Sequence, residues 1–224
     1  MFMRFSKGVL YLANYIDITT YILKGSLFTI ELYFATIIFC MPLGIIGALI
    51  KVSNLKILGK IVDFYTWLFR GTPLLLQLFF TYFGLPIIGI RFSPFTAAAL
   101  TFSLNYGAYF TEIFRSGIQS IDKGQYEAAK VLGMNYKQTM IKIILPQAFK
   151  RIIPPTCNEA ITLIKDTALV AAIGLQDLLR AAREIVTRDF TITPFFIAAI
   201  IYLLFTSLIV MAFRKLEKKY SIYE

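Results

Sequence analysis

Five long apolar stretches divide this chain, near residues 26–50, 64–84, 95–113, 154–174 and 193–213, and short segments rich in Lys and Arg separate them. A helix needs about 20 apolar residues to cross the hydrocarbon core of a bilayer, so each stretch predicts a membrane-spanning helix. The fold class that follows is all-α and integral to a membrane: a single transmembrane domain over residues 21–224, preceded by a lead-in over residues 1–20. In that lead-in, Phe5, Val9, Leu10, Leu12 and Ile16 stand among polar neighbours. They predict either a short amphipathic helix lying on the membrane surface or a frayed approach to the first span. The second stretch is interrupted by Gly71 and Pro73. Broken helices are tolerated at membrane depth only where protein or a cavity satisfies the freed backbone groups, so this span is a candidate pathway wall. The fourth stretch is unusually polar for a span, with Asn158, Glu159, Thr162, Lys165, Asp166 and Thr167.

Composition sharpens this picture. The chain of 224 residues is 58% hydrophobic with a mean hydropathy of +0.69 and a formal net charge of +10. The charge is not that of a nucleic-acid binder, because the cations lie in the gaps between apolar runs, with no aromatic or Arg-rich recognition module. Lys51, Lys56 and Lys60 follow the first span. Arg115, Lys123, Lys130, Lys137, Lys142, Lys150 and Arg151 lie in the loop 115–151, and Arg214, Lys215, Lys218 and Lys219 in the C-terminal tail. The opposite side holds only Arg4, Lys7, Lys24, Arg91, Arg180, Arg183 and Arg188. The positive-inside rule therefore places the N-terminus outside and the C-terminus and loop 115–151 in the cytoplasm. The opening Met1-Phe2-Met3-Arg4 has no charged-then-apolar signal with a cleavage site, so the first span is expected to act as an uncleaved insertion signal. Cys40 and Cys157 fall in or at apolar runs without metal or disulfide spacing, and read as packing residues.

The cytoplasmic loop carries the most specific pattern: Glu127-Ala128-Ala129-Lys130-Val131-Leu132-Gly133, then Ile143-Ile144-Leu145-Pro146. Small residues let another backbone approach closely, and Gly133 supplies a permissive hinge between two short helices. The pattern E-A-A-x3-G-x9-I-x-L-P resembles the coupling loop of permease subunits from bacterial ABC importers. Further segments narrow the likeness: Arg70-Gly71-Thr72-Pro73 through Gln77, Ala108 through Ile118, Gly124-Gln125-Tyr126, and Leu163 through Leu169. They are similar to the polar amino acid uptake permeases, the group that imports histidine, glutamine, glutamate and arginine. Ser116 and Ala168 stand where that group more often has Gly and Ser. The resemblance implies the five-span core of type I importers, paired about a two-fold axis with itself or a close homologue in the bacterial plasma (inner) membrane. It also implies two cytosolic ATPase subunits, which bind the ATP and Mg and dock on Glu127, Ala128, Ala129 and Gly133, and an external amino acid binding protein. The segment 176–184, an expected short amphipathic helix on the outer side, either docks that binding protein or lies in the interface without a partner.

Candidate substrate contacts come from the residues themselves. Glu159 and Asp166 are seven apart and share a helix face with Thr162, at an axial offset of about 10 Å. That length suits an extended arginine or lysine, cationic at both ends, with one acid on the side-chain cation and the other on the α-amino group. Asn105 is placed to bond either the substrate α-carboxylate or a neighbouring helix. The competing reading has Asp166 neutralised by Lys165 or Arg70, and Glu159 capping a helix that starts after Pro154 and Pro155. Arg70 either pairs with Glu112 or Asp63 or snorkels to the inner headgroups, and Lys165 is given a structural role. The chain has no His and no phosphate-binding G-x-x-x-x-G-K-[S/T] loop. No catalytic residue, metal site or cofactor of its own is therefore expected. The alternative function is an ion-gradient-driven secondary transporter or channel using Glu159 and Asp166 as ion sites.

Overall fold

The computed structural model describes residues 2–53 and 55–220, with side chains described from residue 15 onward. Its elements are helical throughout: among the described residues there is no strand. Helix α1 runs from Phe2–Val52 without a break, so the lead-in continues into the first span. The side chains of Phe5, Val9, Leu10 and Leu12 lie outside the described set, and Ile16 is exposed. Helix α2 (Lys56–Gly71) stops at Thr72–Pro73, and α3 (Leu74–Phe79) continues through wider and then tighter turns to Ile88, with the two segments bent by 104°. Helix α4 (Pro94–Gln119) starts where the Ser93 hydroxyl accepts from the Thr96 amide at 3.1 Å.

The loop that follows holds α5 (Lys123–Val131) and α6 (Tyr136–Thr139). Helix α7 (Leu145–Asp166) runs through both Pro154 and Pro155 and tightens into 3-10 geometry over Thr167–Ile173. The segment expected on the outer side forms helix α8 (Leu178–Asp189), and α9 (Thr193–Tyr220) ends the described chain. The Asp177 carboxylate caps α8 by accepting from the Leu179 and Arg180 amides at 3.0 and 3.1 Å, and the Thr29 hydroxyl accepts from the Leu178 amide at 3.2 Å. That fastens the start of α8 to α1.

Three apolar clusters hold these elements together. The largest joins α1, α3, α4 and the end of α7 through Leu32, Cys40, Leu78, Phe102, Tyr106 and Phe110. Here α1 and α4 approach closely because Gly44 and Gly47 face Phe110 and Thr111; a Cβ on Gly44 would stand 2.5 Å from the Phe110 Cβ. A second cluster seats α8 on α1 and α9 through Ile22, Leu178, Ala182, Ile185 and Ile201. The third ties the loop 115–151 to α7 through Ile118, Ile121, Met140, Ile144 and Ala148. Outward-facing apolar side chains, such as Ile38 and Phe39 on α1 and Phe196 and Leu203 on α9, stay exposed, as lipid-facing surfaces are.

Two segments among the described residues, Tyr15–Val52 and Thr193–Tyr220, are long and apolar enough to cross a membrane, and the bent pair adds a third if it counts as one span. The third and fourth predicted spans fall on α4 and α7, where polar side chains such as Asn105, Glu112, Glu159 and Asp166 lower the hydropathy. Lys51, counted above as a loop cation, instead sits in the last turn of α1, with its side chain only 8% exposed.

Candidate functional site

The break between α2 and α3 shapes the site. Pro73 has no N–H, so the Phe69 carbonyl loses its helical partner. Two side-chain amides replace it: Gln77 Nε2 and Asn105 Nδ2 each donate to Phe69 O at 2.9 Å. Gln77 also donates to Thr72 Oγ1 at 2.7 Å and lies 3.1 Å from Thr72 O, while Asn105 donates its other hydrogen to Gln77 Oε1 at 3.0 Å. Thr72 Oγ1 in turn donates to Leu68 O at 2.8 Å. The freed backbone is satisfied within the protein, as an interrupted span requires. Both amide hydrogens of Asn105 are thus spent on the break, which leaves none for a substrate carboxylate. Of the two roles open to Asn105 from sequence, this geometry favours the helix-to-helix bond. Gln77, which sequence reasoning left without a role, is its partner.

Beside the break lies a cavity of about 510 Å³, within the usual range for small-ligand sites. It gathers all four sequence-predicted substrate residues, Glu159, Thr162, Asp166 and Asn105, with Arg70, Tyr106 and Tyr109. Tyr106 donates its hydroxyl to Asp166 Oδ2 at 2.8 Å, and Thr162 bonds back to the Asn158 carbonyl at 3.0 Å. Glu159 makes no hydrogen bond or salt bridge to any described residue. Because α7 begins at Leu145, Glu159 stands well inside the helix, and the reading of it as an N-terminal cap fails. Two prolines in a row signalled a helix start, but the helix carries them in its interior.

Arg70 reaches into the same cavity from the end of α2. Its guanidinium lies 5.4 Å above the Tyr109 ring and 3.9 Å from Glu112 Oε2, and its side chain is 43% exposed. Glu112 is held more firmly by others: Arg115 donates to Oε2 at 2.6 and 2.9 Å, and Lys51 pairs with Oε1. Lys51 also meets Asp63 Oδ1 at 2.7 Å and Thr66 Oγ1 at 3.0 Å. Asp63, offered from sequence as an alternative partner of Arg70, therefore pairs with Lys51. Arg70 keeps most of its donors for the cavity, so the site presents two carboxylates on α7 and a guanidinium on α2.

The Glu-Ala-Ala pattern of loop 115–151 forms a compact helix-turn-helix. Asp122 caps α5 through the Gly124 amide at 2.6 Å. At its end Met134 N–H donates to Ala129 O and Gly133 N–H to Lys130 O, both at 3.0 Å, a Schellman stop that needs the left-handed φ of +73° at Gly133. Asn135 and Gln138 then cap α6 reciprocally at 2.9 Å. Glu127, Ala128 and Gly133 are exposed, whereas Ala129 is fully buried against the protein's own core. The exposed face consists instead of Ala128, Val131 and Leu132 at i, i+3 and i+4, with Tyr136 beside them. The sequence motif pointed to the alanines and missed these larger apolar residues, although their helical spacing was readable.

On the opposite side of the fold, Tyr21 donates its hydroxyl to Glu184 Oε2 at 2.6 Å and Arg180 Nε donates to Oε1 at 3.1 Å. The Tyr21 hydrogen bond, and then Arg180, hold the Glu184 carboxyl below the usual range for a glutamate.

Comparison with known proteins places this geometry. Residues 40–222 match the family model of the binding-protein-dependent transport system inner membrane component. A Rickettsia bellii protein named as a glutamine transport system permease, GlnP, is 41% identical over 211 residues, covering 93% of this chain and 97% of its own length. The arginine transport system permease protein ArtQ of Bacillus subtilis is 42% identical over 201 residues, covering 89% and 92%. A crystal structure of an amino acid ABC transporter with histidines contains a chain that is 35% identical and superposes with a TM-score of 0.84, covering 94% of this chain and 97% of that one. The chain therefore belongs to the family of binding-protein-dependent transport system inner membrane components, among the permease subunits of amino acid ABC transporters.

Proposed function

We propose that this permease carries cationic amino acids (arginine, lysine or histidine) into the cytoplasm by alternating access. The observation that carries the reading is the placement of Glu159 and Asp166 in one cavity with Arg70. Two carboxylates in a low-dielectric space favour a cation and oppose a glutamate side chain, while Arg70 offers a planar, charge-matched donor for the α-carboxylate. Tyr106 orients Asp166, and Glu159, with no hydrogen bond or salt bridge to any described residue, is left for the substrate. Among the relatives, ArtQ is named for arginine and several others for glutamine. The acids on α7 weigh toward the first.

The working topology is five crossings, by α1, the bent α2–α3 pair, α4, α7 and α9, with the N-terminus outside and the C-terminus in the cytoplasm. The distribution of cations supports it. Two cytosolic ATPase subunits dock on the loop around Glu127, Ala128 and Gly133, with Ala129 as its buried footing and Val131, Leu132 and Tyr136 as its apolar face. ATP-driven closure draws two such loops together and reorients the spans around the cavity. A second permease subunit completes the pair, and an external binding protein delivers substrate, with the outer helix α8 as its landing element. The bacterial inner membrane is the expected site. Competition uptake in vesicles tests the substrate class: unlabelled arginine, lysine and histidine should displace labelled arginine, and displacement by glutamine or glutamate at lower concentration would refute it.

A further inference from the structure

One stripe of α4 governs the end of α2. Asn105, Tyr109 and Glu112 stand at i, i+4 and i+7 and so share a helix face. Each meets the last turn of α2 beside the break. Asn105 Nδ2 donates to the Phe69 carbonyl at 2.9 Å, the Tyr109 ring centroid lies 5.4 Å from the Arg70 guanidinium, and Glu112 Oε2 stands 3.9 Å from Arg70 Nη1. The first contact fixes the main chain where α2 stops. The other two decide where the Arg70 side chain goes.

Of those two, Glu112 is the weaker holder. Its Oε2 already accepts from Arg115 at 2.6 and 2.9 Å and its Oε1 pairs with Lys51, so at 3.9 Å the guanidinium gains attraction but no hydrogen bond. A long side chain that is 43% exposed would otherwise sample several rotamers. The Tyr109 ring supplies the second restraint, because a cation within about 6 Å of a ring centroid is drawn to its face. That attraction acts on the charge and leaves the N–H groups of Arg70 for a planar acceptor. Arg70 and Tyr109 both line the substrate cavity. Tyr109 is half-buried, and its hydroxyl makes no hydrogen bond to any described residue, so the fold uses the ring and not the hydroxyl.

We infer that Tyr109 is a positioning residue for substrate selection: its ring holds the Arg70 guanidinium over the cavity to receive the α-carboxylate, and so favours α-amino acids over amines with the same side chain. This rests on Arg70 meeting the α-carboxylate, as proposed above, and not on the charge of the substrate side chain, since every α-amino acid carries that group. The test is calorimetric binding to the permease purified with its ATPase. L-arginine is compared with agmatine, which is arginine without its carboxylate, and L-glutamine with 4-aminobutanamide, the same pair for glutamine. In the wild type an amino acid should bind about tenfold or more tighter than its decarboxylated counterpart. Tyr109→Leu should weaken the amino acid about fivefold and leave the counterpart within about twofold, whereas Tyr109→Phe, which keeps the ring, should match the wild type. In an Arg70→Ala background, Tyr109→Leu should have no further effect. Tyr109→Met is measured beside Tyr109→Leu, so that one variant losing both ligands through misfolding does not decide the matter. The carboxylate preference surviving in both ring-free variants, a loss in Tyr109→Phe as large as in Tyr109→Leu, or a further loss in the Arg70→Ala background would each overturn the role of Tyr109. Glutamine bound in preference to arginine, with a carboxylate preference that still depends on Tyr109, would refute the cationic substrate and support this inference. Absence of binding of either amino acid by the wild type would overturn both.

Discussion

Replacing Gln77 with Leu keeps the volume of the side chain and removes its amide, which isolates the polar repair of the α2–α3 break. The amide has two hydrogens shared among Phe69 O, Thr72 Oγ1 and Thr72 O, and its oxygen accepts from Asn105. In Gln77→Leu, Phe69 O retains Asn105 and Thr72 Oγ1 retains its bond to Leu68 O, but Thr72 O and one Asn105 hydrogen are stranded. Three bonds are lost in all. Polar contacts inside membrane proteins average about 0.6 kcal/mol and typical protein hydrogen bonds up to about 1.5, which gives a loss of about 2–4 kcal/mol. The assay is equilibrium unfolding of the purified permease in mixed micelles of mild detergent and dodecyl sulfate. Asn105→Leu and the double variant complete a cycle, and because the two amides share the Phe69 carbonyl and each other, their effects should fall short of additivity by about 1 kcal/mol or more. Destabilisation by Gln77→Leu below about 0.5 kcal/mol, with additive effects in the double variant, would refute the account of how the break is satisfied.

Three further outcomes are expected. In the ion cluster, Glu112 is 14% exposed and serves Lys51, Arg115 and Arg70, whereas Asp63 is 66% exposed; Glu112→Gln should therefore cost about 3 kcal/mol or more and Asp63→Asn less than about 1, in the same unfolding assay. Gly133→Ala meets no neighbour within 4 Å but must hold a φ of +73°, a penalty of about 1 kcal/mol that should loosen the helix-turn-helix and lower substrate transported per ATP hydrolysed, read in proteoliposomes. Glu184 has its folded-state pKa depressed by Tyr21 and Arg180, so its tether of α8 to α1 contributes fully above the unfolded value of about 4.3 and is lost as pH falls through the depressed one. Hydrogen exchange in α8 should be unchanged from pH 7 to 5, after correction for intrinsic rates, and rise only in more acid solution.

How much of this was legible in the sequence depends on how local each cause is. Gly71 and Pro73 announced the break because their effect is on their own backbone, and Gly133 announced its turn for the same reason. The seven-residue spacing of Glu159 and Asp166 put them on one face of α7, and the cavity contains both. What completes the site is tertiary. Gln77 and Asn105 lie 28 positions apart, and Tyr106 reaches Asp166 across 60, so no window of sequence shows either pair. The Glu159 cap reading failed because proline is read as a boundary, whereas α7 carries Pro154 and Pro155 inside a packed helix. Ala128 and Ala129 look alike in sequence; only the packing of α5 decides that Ala129 faces inward and leaves Val131 and Leu132 outside.

The central claim is that an ATP-driven permease carries a cationic amino acid on the acids of α7. It is tested most directly by uptake of labelled arginine into proteoliposomes holding this chain with its ATPase, comparing wild type with Glu159→Gln. The account predicts uptake that requires ATP and falls about 10–100-fold in the variant, as loss of one charge-assisted contact implies, while ATP hydrolysis by the complex persists. Undiminished uptake by Glu159→Gln, or uptake driven by an ion gradient without the ATPase, would contradict it.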